Sequence, residues 1–350
     1  MAIKNKKIAV CFGTRPEIIK LSPVIKELKL RGVPFFTVFT GQHKDLFDDV
    51  KDLVPDPDYV LNVMRDNQPC DITFSLTMQG LSDVWRKEQT DLVIIQGDTL
   101  TVAACALSAF YNRIKIGHVE AGLRTYDLQS PFPEEAHRQI VSRIADFNWA
   151  PTQKAVEQLK AENIKNVLLT GNTVIDLCHS FSSNLKYGKQ VLITLHRREN
   201  FGKKMRDMFL QLENLAKTHP ELKFIFPMHP NPNVQQFKGL FSKVKVTEPL
   251  PYFKMLKLLA ETKFVISDSG GIQEECAAFN KKILVCRDTT ERPEGVDAGF
   301  AKLIGSCISK NFDWANTDPA WSGVNPYGDG MASKRIIDSI QNIDVSLLSV

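Results

Sequence analysis

The 350-residue chain reads as an α/β protein of two doubly wound domains, each built on a parallel sheet. Three observations carry this. Short β-rich apolar runs alternate with helical patterns along most of the length. The rhythm pauses at the polar stretch SFSSNLKYGK (180–189) and then restarts. The length also exceeds the ~100–200 residues of an ordinary single domain.

In order along the chain, KIAVCFG (7–13) is a buried strand that ends in a glycine turn. Ile18, Leu21, Ile25 and Leu28 then recur at three and four residues, one face of a helix, which Gly32 and Pro34 stop. FFTVFTG (35–41), DLVIIQGD (91–98), KIGHVEAG (115–122) and NVLLTGN (166–172) are apolar runs closed by Gly or a polar residue, and read as strands. Helical patterns separate them at about 71–88, 101–112, 133–145 and 152–163. Beyond the linker, QVLITLH (190–196), KFIFPMH (223–229), VKVTEP (244–249), FVISDSG (264–270) and KILVCRD (282–288) are strands. Helices lie near 205–218, 251–262, 271–280 and 331–343. The expected domains are 1–178 and 188–330.

Composition excludes several classes. The chain is 43% hydrophobic and 24% charged, with a net charge of +4 and no long Lys/Arg block. Nucleic acid and membrane surfaces are not expected partners, whereas a local basic site for a phosphorylated ligand remains open. No stretch approaches the ~20 apolar residues of a membrane helix. The apolar run Ile8–Phe12 is too short for a signal-peptide core. The seven cysteines are scattered, mostly in apolar segments, with no CxxC pair. Buried free thiols in a reducing compartment, and hence the cytoplasm, are expected.

In doubly wound sheets ligands bind beyond the carboxyl ends of the strands, and with two domains the expected place is the cleft between them. Polar clusters fall at those ends: GTRPE, GQH, QGDT, HVEAGLR, HRREN, HPNPN, DSGG and RDTTERPE. In SDSGGIQEE (267–275), Ser269, Gly270 and Gly271 follow a strand and open a helix. Bare amides there suit a phosphate, although a tight turn with Ser269 as N-cap reads equally simply. GxGxxG and Walker A patterns are absent, which removes the best support for a nicotinamide enzyme or a P-loop ATPase. Arg15 and Lys20 in GTRPEIIK offer a guanidinium fork and a point charge to a diphosphate, or else are solvated charges on a capped helix. Arg292 is a third cation.

Asp98 and Glu120 end apolar strands, positions that invite burial and a tuned pKa. Glu134 and Glu135 open a helix, and for Glu135 dipole complementarity is reason enough. His196 and His229 end strands of the second domain, either as hydrogen-bonded structural residues or as site residues. No HxxxH or CxxC set is present, so no catalytic metal is expected.

FGTRPEIIK (12–20), TGQH (40–43), QGDT (96–99), HVEAGLRT (118–125), SPFPEE (130–135), GNTVID (171–176), HRRENFG (196–202), HPNPNV (229–234), SDSGGIQEE, RDTTERPEG (287–295) and NPYGDGMAS (325–333) resemble the non-hydrolysing UDP-N-acetylglucosamine 2-epimerases, in that family's order and over nearly the whole chain. The resemblance implies a GT-B-like pair of Rossmann-like domains and a homodimer. It also implies a last helix, about 331–346, that packs back on residues 1–175. The implied chemistry uses no cofactor: anti elimination of UDP gives a bound 2-acetamidoglucal, and UDP re-adds as C2 is protonated on the other face.

By the same resemblance Asp98, Glu120 and Glu134 form the acid/base set, with the face served by each left open. His196 lies near the diphosphate or the sugar. Arg15, Lys20, Arg292 and the amides of Ser269, Gly270 and Gly271 hold the diphosphate, and Glu275 holds the ribose. A second UDP-N-acetylglucosamine, an activator in bacterial members, would touch Gln42, His43, Gln68, Glu135, Arg197 and His229. Departures from the family pattern are Asn67 for Arg, Tyr126 for Gly, His137 for Asn, and Pro230 after His229. Competing readings are a hydrolysing epimerase, an epimerase for a 6-deoxy or uronic UDP-HexNAc, a GT-B glycosyltransferase and a non-catalytic sugar-nucleotide sensor.

Overall fold

A computed structural model of the chain describes residues 7–42, 50–65, 68–181, 188–317 and 321–341. His43 and Asn67, and most of the 180–189 linker, lie outside the described residues. The chain divides into two compact units, Met1–Leu177 with Gly328–Val350, and Cys178–Tyr327.

The first unit holds strands β1 (Ile8–Phe12), β2 (Phe35–Phe39), β3 (Tyr59–Val60), β4 (Leu92–Gln96), β5 (Lys115–Val119), β6 (Phe147–Ala150) and β7 (Val167–Leu169). They pair in parallel in the order β3-β2-β1-β4-β5-β6-β7. Helices α1 (Arg15–Leu30), α2 (Cys70–Lys87), α3 (Leu100–Tyr111), α4 (Glu134–Ile144), α5 (Gln153–Ala161) and α6 (Thr173–His179) connect or follow them. All five residues of β1 are buried, as expected of a parallel strand covered on both faces. On α1, Ile18, Leu21, Ile25 and Leu28 form the buried face.

The second unit holds β8 (Gln190–Thr194), β9 (Lys223–Pro227), β10 (Lys245–Thr247), β11 (Thr262–Ser267), β12 (Lys282–Val285) and β13 (Ala301–Leu303). These are again parallel, in the order β10-β9-β8-β11-β12-β13. Its helices are α7 (Lys203–Thr218), α8 (Pro232–Gln235), α9 (Tyr252–Glu261), α10 (Gly270–Ala278), α11 (Pro293–Asp297) and α12 (Ile308–Ala315). Its core is aromatic: Phe209 meets Phe226 edge-on at 5.4 Å, and Phe264 meets Phe312 at 5.5 Å.

Both sheets reverse direction of winding at one point, between β1 and β4 in the first unit and between β8 and β11 in the second. Such a switch leaves a crevice at the carboxyl ends of the two strands, where ligands of doubly wound sheets bind. GTRPE and QGDT end the first pair, and HRREN and DSGG the second.

Helix α13 (Ala332–Gln341) belongs to the first unit. Asp176 caps it, accepting from the amides of Ala332 and Ser333 at 3.0 and 2.7 Å and from the Ser333 hydroxyl at 2.5 Å. Arg31 pairs with Asp338, and Trp149 Nε1 donates to Ser339 Oγ at 2.9 Å.

Three features differ from what the sequence predicts. β3, β6 and β13 were not anticipated, because two to four residues are too few to display a period. β6 (FNWA) also carries a buried asparagine in place of an apolar run. The helices α6, α8, α11 and α12 were not anticipated either: at four to eight residues they span too few turns to show a clear helical stripe. Finally, Cys70 and Cys307 are exposed at the starts of α2 and α12, while the other five thiols are buried. No helix of the described residues is long and apolar enough to cross a membrane.

Candidate active site

At the first switch point the chain leaves β1 through Gly13. A Cβ there would stand 2.2 Å from the hydroxyls of Thr40 and Thr101, so only glycine fits. Thr14 is the N-cap of α1, and Arg15, half-buried, is its first residue. Glu17 is 1% exposed. Its carboxylate accepts from Gly13 N at 2.7 Å, Thr14 Oγ1 at 2.8 Å and Thr99 Oγ1 at 2.6 Å. Burial outweighs these bonds and pushes its pKa from 4.5 to about 7. T-R-P-E has capping-box spacing, the one sequence signal for Glu17, but here the Thr14 hydroxyl donates and does not cap.

Glu120 follows β5 with φ +64°, in the left-handed region that side chains rarely adopt. Its side chain is 7% exposed and pairs with Lys20 Nζ at 2.5 Å. The Gln96 amide donates to its other oxygen. Lys20, expected at a diphosphate, is thus a partner of Glu120. Neighbouring His118 is buried, with its Nε2 on Gly97 O at 2.7 Å, and burial drops its pKa to about 4, so it is neutral at pH 7.

Asp98 takes Arg138 Nε and Nη2, each at 2.8 Å, on one oxygen. His137 Nδ1 donates to the Asp98 carbonyl at 2.8 Å. Arg138 reaches on to Glu135 at 3.0 Å. Glu135 is fully buried and accepts from the amides of Thr125 and Tyr126 at 2.9 and 3.2 Å and from Gln139 at 2.9 Å. Burial alone would raise its pKa, but these donors and Arg138 together hold it below the usual carboxylate range. The resemblance places Glu135 among effector contacts, whereas its carboxylate faces the 125–126 backbone. Glu134, one position earlier, is half-buried and takes no side-chain partner among the described residues.

Gln42 Oε1 accepts from Thr101 N and Oγ1 at 3.1 and 2.8 Å. Gln68 donates to Val63 O and Thr73 Oγ1 at 2.8 and 2.7 Å.

In the second unit Asp268, fully buried, joins the ends of β8 and β11. It accepts from His196 N at 3.0 Å, Arg197 N at 2.9 Å and Asn200 Nδ2 at 3.1 Å. The His196 and His229 rings stack at 5.1 Å with planes 11° apart. Burial lowers the pKa of both; Asp268 opposes this at each, and the charge of His229 adds to it at His196. Arg197 and His229 are exposed.

Ser269 caps α10 by position, but its amide donates to Ser267 Oγ at 2.9 Å. The anion site expected of three amides therefore narrows to Gly270 and Gly271, whose amides lie in the helix's first turn and lack intrahelical acceptors. A Cβ on Gly270 would stand 2.5 Å from Arg292 Nη1, so that glycine lets the guanidinium lie against the helix start. Arg292 Nε donates to Glu274 at 2.7 Å, which aims it. Glu275, buried, accepts from the Tyr252 hydroxyl at 2.8 Å.

The sequence reading passed over Glu17, Arg138 and Asp268. Arg138 was detectable only as the i+3 neighbour of Glu135, and Asp268 only as an acid between two serines at a strand end. Among the described residues no three His, Cys, Asp or Glu side chains gather as metal ligands.

A family model for UDP-N-acetylglucosamine 2-epimerase matches residues 26–341. The chain is 39% identical over 371 residues to the UDP-N-acetylglucosamine 2-epimerase of Campylobacter jejuni, covering 95% of this chain and 97% of that protein. It is similar to the crystal structure of UDP-GlcNAc 2-epimerase from Neisseria meningitidis bound to UDP-GlcNAc, with a TM-score of 0.86 at 38% identity, over 95% of this chain and 99% of that one. The S. aureus MnaA-UDP structure gives 0.85 at 39% identity, over 96% of each chain.

Proposed function

The chain belongs to the UDP-N-acetylglucosamine 2-epimerase family of isomerases, and from that premise we propose that it interconverts UDP-N-acetylglucosamine and UDP-N-acetylmannosamine by eliminating and re-adding UDP. The observation that carries the reading is Glu120. Strained non-glycine backbone is retained at functional sites, and here it presents a carboxylate steered by Lys20 and Gln96.

The chemistry asks for two things. Inversion removes the C2 proton from one face and returns one to the other, so an acid/base group is needed on each face of C2. Asp98, Glu120 and Glu134 supply these, with Arg138 orienting Asp98. The departing UDP must also be stabilised as charge develops on it. Arg292 and the amides of Gly270 and Gly271 at the start of α10 do this, with Arg15 as a further cation. His196 serves near the diphosphate or sugar, and Glu275 takes the ribose hydroxyls. The reading includes a cytoplasmic homodimer that works without added cofactor or metal.

Incubation with UDP-N-acetylglucosamine in D2O tests it. Deuterium at C2 and a UDP-N-acetylmannosamine signal are expected. Asp98→Asn, Glu120→Gln and Glu134→Gln should each lower turnover roughly 100-fold or more, while UDP affinity changes less. Release of free N-acetylmannosamine would mark a hydrolase, and absence of deuterium would sink the elimination scheme.

A further inference from the structure

Glu17 has no role in the chemistry above, yet it is the most expensively placed carboxylate of its loop. It is buried, and its ionised form is disfavoured enough to bring the pKa to about 7. A neutral side chain of the same size would fill the space at lower cost. What a neutral side chain lacks is two acceptor oxygens able to take three donors at once.

Those donors come from two loops. Gly13 N and Thr14 Oγ1 belong to the turn after β1, immediately before Arg15. Thr99 Oγ1 belongs to the turn after β4, immediately after Asp98. The Thr99 hydroxyl also accepts from Val102 N at 3.3 Å, as N-cap of α3, so its proton is directed at Glu17. The two turns stand on neighbouring strands at the switch point, 82 residues apart in sequence between Glu17 and Thr99.

We propose that Glu17 is a positioning residue: its carboxylate joins the turn that carries Arg15 to the turn that carries Asp98, and so sets the reach of Asp98 toward the reacting carbon. The catalytic consequence rests on the function proposed above. The joining of the turns does not.

The test uses Glu17→Gln, Thr99→Val, their combination, and Thr99→Ser in the full chain. Glu17→Gln should lower kcat roughly 10- to 100-fold with KM within about threefold, the pattern of a displaced reacting group. Its melting temperature at pH 8 should equal or exceed wild type, because a disfavoured buried charge is removed. Thr99→Val should lower kcat similarly, Thr99→Ser should restore it, and the double variant should be no worse than the poorer single one. Amide hydrogen exchange over residues 97–103 should quicken in Glu17→Gln, whatever the substrate. Wild-type kcat in both Glu17→Gln and Thr99→Val overturns the proposal, as does unchanged exchange in 97–103. If the wild-type enzyme places no deuterium at C2, the proposed function fails, and the exchange measurement still decides whether Glu17 joins the turns.

Discussion

Glu120 and Tyr126 lie in the same segment, with φ +64° and +61°. At Glu120 the strained backbone aims a carboxylate, held by Lys20 and Gln96. At Tyr126 the side chain is 59% exposed, its hydroxyl bonds to Glu162 at the surface, and the backbone amide donates to Glu135. The family resemblance puts glycine at this position, and left-handed backbone supplies the reason. Tyr126→Gly keeps the amide and relieves the Cβ clash. After the added freedom of the unfolded chain it should gain about 0.5–1 kcal/mol, or about 1–4 °C in melting temperature. A lower melting temperature would show that the tyrosine ring contributes more than its backbone costs. The sequence marks Tyr126 as unusual only by its departure from the family pattern; the sign of φ came from the fold.

Helix α7 shows the same division at the level of an element. Its apolar stripe was legible, and Met205, Met208, Phe209 and Leu212 are buried as the period requires. Glu213, beside that stripe, is a carboxylate only 4% exposed. It accepts from Ser242 N and Oγ, Lys243 N and Val244 N, tying the turn before β10 to the helix. Burial works against its charge, but the Ser242 hydroxyl and the three amides prevail and bring the pKa from 4.5 to about 2. A pKa lower in the folded than in the unfolded state stabilises fully above pH 4.5, and the benefit fades as pH falls toward 2. Glu213→Gln should therefore cost on the order of 3 kcal/mol at pH 7. Calorimetry of both proteins should show the gap narrowing as pH falls from 4.5 toward 2. A gap independent of pH would assign the loss to packing.

For the whole molecule the feature of longest range is α13, which returns after the second unit to complete the first. Its start is capped from a distance by Asp176, through two amides and a hydroxyl. Asp176→Ala removes an N-cap, a loss of about 1–2 kcal/mol. Amides of residues 332–341 should exchange faster while both sheets keep their protection. Unchanged exchange in α13 would mean that Arg31–Asp338 and Trp149–Ser339 suffice to hold it.

The alternation of strands and helices, the parallel class of the sheets and the polar motifs at strand carboxyl ends were all readable from the chain alone. The reason is local: a strand buried on both faces is an unbroken apolar run, and its end is where that run turns polar. Partnership was not readable. Lys20 meets Glu120 across 100 residues, Arg138 meets Asp98 across 40, and Glu17 meets Thr99 across 82. Each pairing depends on which strands lie side by side, and strand order is set by packing of the whole sheet. Spacing along the chain therefore named the charged residues at the switch points, and only the tertiary structure decided which of them hold one another.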